Sequence, residues 1–199
     1  MPIFAFMPVA TTDILAQLRQ QTRPYHEALE QNRFNQQLAA GTVSVDTTAW
    51  FLAKLYGFLA LFEARLQQHA AGFGPAWEID QRQRSHLILD DLRRYSPTTP
   101  LPLCPAMPAL DTRAQLLGAF YVLEGSTLGG QVITRQLAQA GIPLRSYFSG
   151  YGTQTGPRWK RFVELLSAEA HAAPAAFQAA VVESASLTFQ RLAAWINHA

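Results

Sequence analysis

Arg19, His26 and Glu30 lie within the segment "LRQQTRPYHEALE", at intervals that put all three on nearly one face of a helix. A neutral imidazole at pH 7 is a metal ligand. A carboxylate one turn further on can take the other ring N–H and fix tautomer and ring orientation. A guanidinium two turns back can reach an anionic edge of whatever binds at His26. A histidine alone carries little weight, since most are surface or core residues. The second feature is "FYVLEGSTLGGQVI", residues 120–133, where Gly125, Gly129 and Gly130 interrupt a helical pattern. Each glycine inside a helix costs about 1 kcal/mol relative to alanine, so three cost about 3 of a typical 5–15 kcal/mol. One reading is close helix packing. The other is a helix face stripped of side chains, able to bend and to lie over a flat ligand. That second reading requires a facing helix with a ligand residue, and His26 supplies one.

The elements that must position these residues are almost all helical. A first helix is expected from Thr12 to Asn32, with Thr11, Thr12 or Asp13 as N-cap. A second runs from Asp46 to His69 with Trp50, Leu52, Leu55, Leu59, Phe62 and Leu66 at helical spacing, and a third from Asp80 to Tyr95. The proline-rich "SPTTPLPLCPAMPAL" is a connector. Asp111 is the expected cap of a helix that passes through the glycines to Ala140 and ends at Gly141 and Pro143. "YFSGYGTQTGP" is a loop, and Pro157 starts a helix to His171. The last helix spans Pro174 to Asn197. The fold class is all-α, one helical domain over residues 12–199 preceded by an N-terminal arm, 1–11.

The 199 residues suffice for one real core, and a net charge of +2 argues against nucleic acid as a partner. Cys104 is the only cysteine, which excludes an internal disulfide and a cysteine metal site and fits a reducing, cytoplasmic setting. The start "MPIFAFMPVA" lacks a basic region and does not read as a signal peptide. No run reads as a membrane span, so no membrane association is expected.

The chain resembles the haem oxygenases, in particular the bacterial biliverdin-producing group. "LRQQTRPYHEALE" is similar to the family's proximal helix, which implies His26 as the haem-iron ligand with Glu30 as its partner. "YVLEGSTLGG" is similar to the distal helix, whose glycines lie over the haem face and leave space for dioxygen. "GYGTQTGPRWKRF" is also similar to the bacterial branch. The resemblance implies Arg19 and Tyr121 at a haem propionate, Lys160 among basic groups near that edge, and Phe189 against the haem. Gly125, Ser126, Gly129 and Gly130 become the catalytic segment. Many family members have aspartate where this chain has Ser126, as the bacterial branch often does, which leaves open which groups hold water there.

On this resemblance haem is substrate and cofactor at once. It is opened with O2 to biliverdin, carbon monoxide and ferrous iron. No glycine-rich phosphate loop after a strand is present, so electrons are expected from outside, from a ferredoxin, flavodoxin or reductase. Two other classes remain open: a haem-binding protein that sequesters haem without turnover, and a non-haem enzyme on the same helical fold. A di-iron site would need Glu and His at helical spacing on facing helices. Glu63, Glu124, Glu164 and Glu169 show no Glu-x-x-His partner, and His69, His86, His171 and His198 read as surface residues.

Overall fold

The computed structural model describes residues 13–95 and 100–198. The expected N-terminal arm, 1–11, lies outside them. The described residues contain seven α-helices and four short 3-10 turns, and no strand. The helices are α1 (Ile14–Glu30), α2 (Arg33–Ala39), α3 (Val45–Gln68), α4 (Ser85–Tyr95), α5 (Arg113–Gln139), α6 (Thr155–Ala172) and α7 (Ala175–Asn197). The all-α fold expected from periodicity is the fold observed.

Asp13 caps α1 by accepting from the Leu15 N–H, and Ile14, Leu18 and Thr22 form its buried stripe. The helix stops at Glu30, short of the expected Asn32, because Asn32 turns to a different task. Its Oδ1 accepts from the Asn35 N–H at 3.0 Å and its Nδ2 donates to the Leu29 carbonyl at 2.8 Å. It thereby caps α2, a short helix the sequence pattern did not announce.

α3 runs through the core, burying Phe51, Leu52, Phe58, Leu59, Phe62 and Leu66. By length and composition it could cross a bilayer, which corrects the expectation that no run would qualify. In this fold its apolar surface is met by other helices, and its polar residues make tertiary bonds. Lys54 donates to the His198 carbonyl, and Glu63 accepts from the Arg84 and Ser85 N–H groups at 2.6 and 3.1 Å. That carboxylate, arriving from a distant helix, occupies the N-terminal end of α4. It is why α4 begins at Ser85, and why the expected helix from Asp80 divides into a 3-10 turn, Ile79–Arg82, and α4.

α5 is capped by Thr112 rather than by the expected Asp111. Thr112 and Gln115 form a reciprocal capping box, while Asp111 pairs with Arg65 instead. The helix continues without a break through all three glycines to Gln139. It packs closely on α7. A Cβ on Gly118 would lie 2.4 Å from the Val181 carbonyl oxygen, so the two backbones touch there, and Ser184 donates to the Gln115 carbonyl at 2.7 Å. α6 begins at Thr155, two residues before the expected Pro157.

Candidate functional site

A cleft of about 640 Å³ opens between α1 and α5, with walls from α6 and α7. Arg19, His26 and Glu30 reach it from α1, Tyr121, Gly125 and Ser126 from α5, and Phe189 from α7. Seven of the ten residues singled out from the sequence therefore line one cavity.

On the α1 side, His26 Nδ1 lies 3.7 Å from a Glu30 carboxylate oxygen. That is an ion-pair distance and too long for a hydrogen bond. Both side chains are about half exposed (54% and 56%), so the contact is solvent-screened. The imidazole is also held edge-on by Phe189, whose ring centre lies 5.5 Å away at 72°. Phe189 is a buried residue of α7 and a cleft residue at once.

Arg19 and Tyr121 both line the cleft, and the Arg19 charge acts on the Tyr121 hydroxyl. Burial raises the Tyr121 hydroxyl above its ordinary value, and the Arg19 charge partly opposes that rise. A phenol donor and a guanidinium are groups of the kind that can bind an anionic oxygen.

The three glycines of α5 have different surroundings. Gly125 faces the cleft, and a Cβ there would make ordinary contact with the Trp159 ring at 3.6 Å. Gly129 has nothing within 4 Å of its Cβ position and is not part of the cleft wall. A Cβ on Gly130 would sit 2.1 Å from the Phe148 carbonyl oxygen, so its absence admits a neighbouring backbone. Close packing accounts for Gly130, whereas Gly125 leaves a cleft wall without a side chain. Ser126 lines the cleft and donates to the Leu123 carbonyl at 2.7 Å, three residues back on its own helix.

Lys160 is not brought to the cleft. Its side chain is 80% exposed and approaches only Glu164, at 4.0 Å. The residue before it, Trp159, takes the inward position. One residue is 100° of helix rotation, so with Trp159 packed inward on Phe162, Lys160 is left on the solvent side. Trp159 was passed over in the sequence, where the basic residues around it drew attention; its aromatic ring between two charges was the available signal.

A buried polar cluster behind α5 was also missed. Arg82 Nη1 donates to Glu124 at 2.5 Å, with both side chains almost wholly buried, and Tyr151 donates to the other Glu124 oxygen at 2.6 Å. Arg84 Nη2 donates to the Leu123 carbonyl at 2.8 Å. These contacts hold the two residues just before Gly125. Among the described residues no group of three or more His, Cys, Asp or Glu is arranged to hold a metal ion, so a di-iron ligand set is not assembled there.

The cleft thus sets a single histidine, His26, against a glycine-bearing helix in an all-α fold. The "Heme oxygenase" family model matches residues 12–97. A heme oxygenase of Xanthomonas campestris pv. campestris (strain 8004) is 31% identical over 143 residues, covering 70% of this chain and 84% of that protein. The chain belongs to the haem oxygenase family. Its fold matches the heme oxygenase of Leptospira interrogans with a TM-score of 0.76 at 16% identity, over 92% of this chain and 98% of that one. It also matches heme oxygenase-1 of the cyanobacterium Synechocystis sp. PCC6803, solved in complex with heme, with a TM-score of 0.70 at 14% identity over 93% and 91% of the two chains.

Proposed function

We propose that this protein is a haem oxygenase that binds haem in the α1–α5 cleft and opens it to biliverdin, carbon monoxide and ferrous iron. The observation that carries the reading is His26 on α1 facing Gly125 and Ser126 on α5 across a cleft of about 640 Å³. That volume lies within the usual range of about 300–1,000 Å³ for small-molecule sites. The lining also fits haem: one imidazole that could ligate the iron, a glycine, Gly125, that leaves room beside a flat ring, and Arg19 with Tyr121 for a carboxylate.

When bound, haem supplies the iron at which dioxygen is reduced and is itself the carbon skeleton attacked. The protein's part is positional. His26 would present Nε2 to the metal, since Nδ1 is turned towards Glu30. Neutral imidazole donates less charge than a thiolate, so it does not drive O–O cleavage by itself. Phe189 limits rotation of the imidazole through its edge contact. Gly125 would leave room for the ring on the α5 side, and Arg19 and Tyr121 would bind a carboxylate at its periphery. Electrons come from an external donor, a ferredoxin, flavodoxin or reductase.

The competing reading is a protein that stores or carries haem. Haem added to the purified protein should give a histidine-ligated spectrum. Reductant in air should then remove the Soret band and produce a bilin. A spectrum that cycles between oxidation states with its Soret intensity intact identifies a carrier and overturns the reading.

A further inference from the structure

Trp159 does nothing in the positional scheme above, yet it occupies a place where it can decide an outcome. Its six-membered ring lies 3.6 and 3.7 Å, at Cη2 and Cζ3, from the Cβ position of Gly125. Its ring centre is 5.7 Å from that of Tyr121. Tyr121 and Gly125 are one turn apart on α5 and both face the cleft. Trp159 thus closes the cleft from α6 along the same turn of α5 that carries the edge group Tyr121.

That wall is stiff. Behind Trp159 lies Phe162, wholly buried, with ring centres 5.7 Å apart and planes inclined by only 22°. Phe162 in turn packs edge-on against Phe120 at 5.0 Å and Trp77 at 5.8 Å. The ring cannot retreat without disturbing a close-packed aromatic core. The cationic member of the same edge is different in kind. Arg19 is an exposed residue with a long, rotatable side chain, and such a side chain fixes an anion's charge better than its position.

A porphyrin is nearly fourfold symmetric in outline. An apolar slot with an axial ligand therefore accepts several in-plane rotations of the ring with similar energy, and only contacts at the periphery separate them. We propose that Trp159 is the specificity-determining residue of this site. It is a rigid wall against which one edge of the macrocycle abuts, fixing its in-plane rotation and with it the meso carbon that is opened. This rests on the haem oxygenase reading but concerns orientation, which can be observed without turnover.

The experiment compares wild type with Trp159→Ala and Trp159→Phe in two ways. The first is proton NMR of the ferric, cyanide-ligated haem complex, whose shifted haem methyl resonances report in-plane rotation. The second is the isomer composition of biliverdin after turnover. Wild type should show one dominant set of methyl resonances. Trp159→Ala should keep its histidine-ligated absorption spectrum but show a second set, with the minor bilin isomer rising roughly fivefold, the size of effect expected from losing one aromatic contact. Trp159→Phe, which keeps a ring on the same backing, should stay close to wild type. One unchanged set of resonances in Trp159→Ala, together with an unchanged isomer ratio, overturns the proposal. Melting of the haem-free variants checks the fold, and if Trp159→Ala does not fold, Trp159→Leu is read by the same two outcomes. Failure of the functional reading looks different: the NMR result in Trp159→Ala can still appear while no variant, wild type included, yields a bilin.

Discussion

Replacing the glycines of α5 one at a time with alanine should produce opposite results at neighbouring positions. Alanine in place of glycine inside a helix gains about 1 kcal/mol where nothing obstructs the new methyl. At Gly129 nothing lies within 4 Å of the Cβ position. Gly129→Ala should stabilise the haem-free protein by about that amount, a rise in Tm of about 2–4 °C for a chain of this size. At Gly130 the methyl would meet the Phe148 carbonyl oxygen at 2.1 Å and its carbon at 3.1 Å. These are backbone atoms of a packed segment that cannot swing aside. Overpacking of this kind costs about 1–3 kcal/mol, so after the helix gain Gly130→Ala should be less stable by up to about 2 kcal/mol. Gly118→Ala, with its Cβ 2.4 Å from the Val181 carbonyl oxygen, serves as a second obstructed position and should behave like Gly130→Ala. Gly125→Ala belongs to neither class. Its methyl makes ordinary contact with Trp159 at 3.6 Å, so the haem-free protein should keep or gain stability. The methyl enters the cleft wall, however, and haem affinity should fall. Thermal melting of the four haem-free variants, beside haem titrations, makes the comparison. Gly130→Ala melting at or above Gly129→Ala would refute the reasoning, because the close approach of Phe148 would then carry no energy.

Three other perturbations test different parts of the molecule. His26→Ala should lose the histidine-ligated haem spectrum and regain it with added imidazole, whereas an unchanged spectrum assigns the ligand elsewhere. Arg82→Met should lower stability by about 3–5 kcal/mol in equilibrium denaturation, because it leaves the Glu124 carboxylate buried with one of its two charge-stabilising partners gone; a loss under 1 kcal/mol would show the pair to be dispensable. Burial, and then the neighbouring Glu124, raise the Tyr151 hydroxyl above its ordinary value of about 10, against the opposing pull of Arg84 and Arg82. The folded state therefore keeps a proton that the unfolded state releases, and stability should fall as pH rises above about 10. The fall should be shallower in Tyr151→Phe, and equal slopes in the two proteins would refute the assignment.

What the sequence reveals here follows the range of the interactions involved. The long helices are legible because their apolar periodicity is local, and Arg19, His26 and Glu30 converge because intervals of seven and four residues are enough to align them. What escapes is set from a distance. α4 starts at Ser85 because Glu63, from another helix, takes the N–H groups of Arg84 and Ser85. α1 ends early because Asn32 is buried and bonded both ways, which no propensity rule announces for one asparagine. Asp111 loses its expected capping role to Thr112 because Arg65 lies within reach of its carboxylate. The same holds at the cleft. Lys160 and Trp159 are adjacent in sequence, and only the packing of α6 on Phe120 and Trp77 through Phe162 decides which of them faces inward. Three glycines look alike in the sequence, yet the carbonyl that makes Gly130 indispensable belongs to Phe148, eighteen residues on.

The cluster behind α5 accounts for how the helix carries its glycines without breaking. The two residues before Gly125 are tied more heavily than helix geometry requires. The Leu123 carbonyl accepts from Arg84 Nη2 and from the Ser126 hydroxyl as well as serving the helix. The Glu124 carboxylate is held by Arg82 and Tyr151, and its carbonyl accepts from Thr127 Oγ1 at 2.6 Å. Back-bonding by Ser and Thr inside a helix tends to bend it, and glycine would let the bend grow. Fixed buried partners on the far side oppose that movement in the turn just before Gly125. The same geometry defines what Ser126 can offer. Its single hydroxyl proton is committed to Leu123, which leaves lone pairs towards the cleft. A group that meets Ser126 must therefore donate. Water meets that requirement and keeps a second proton to donate onward.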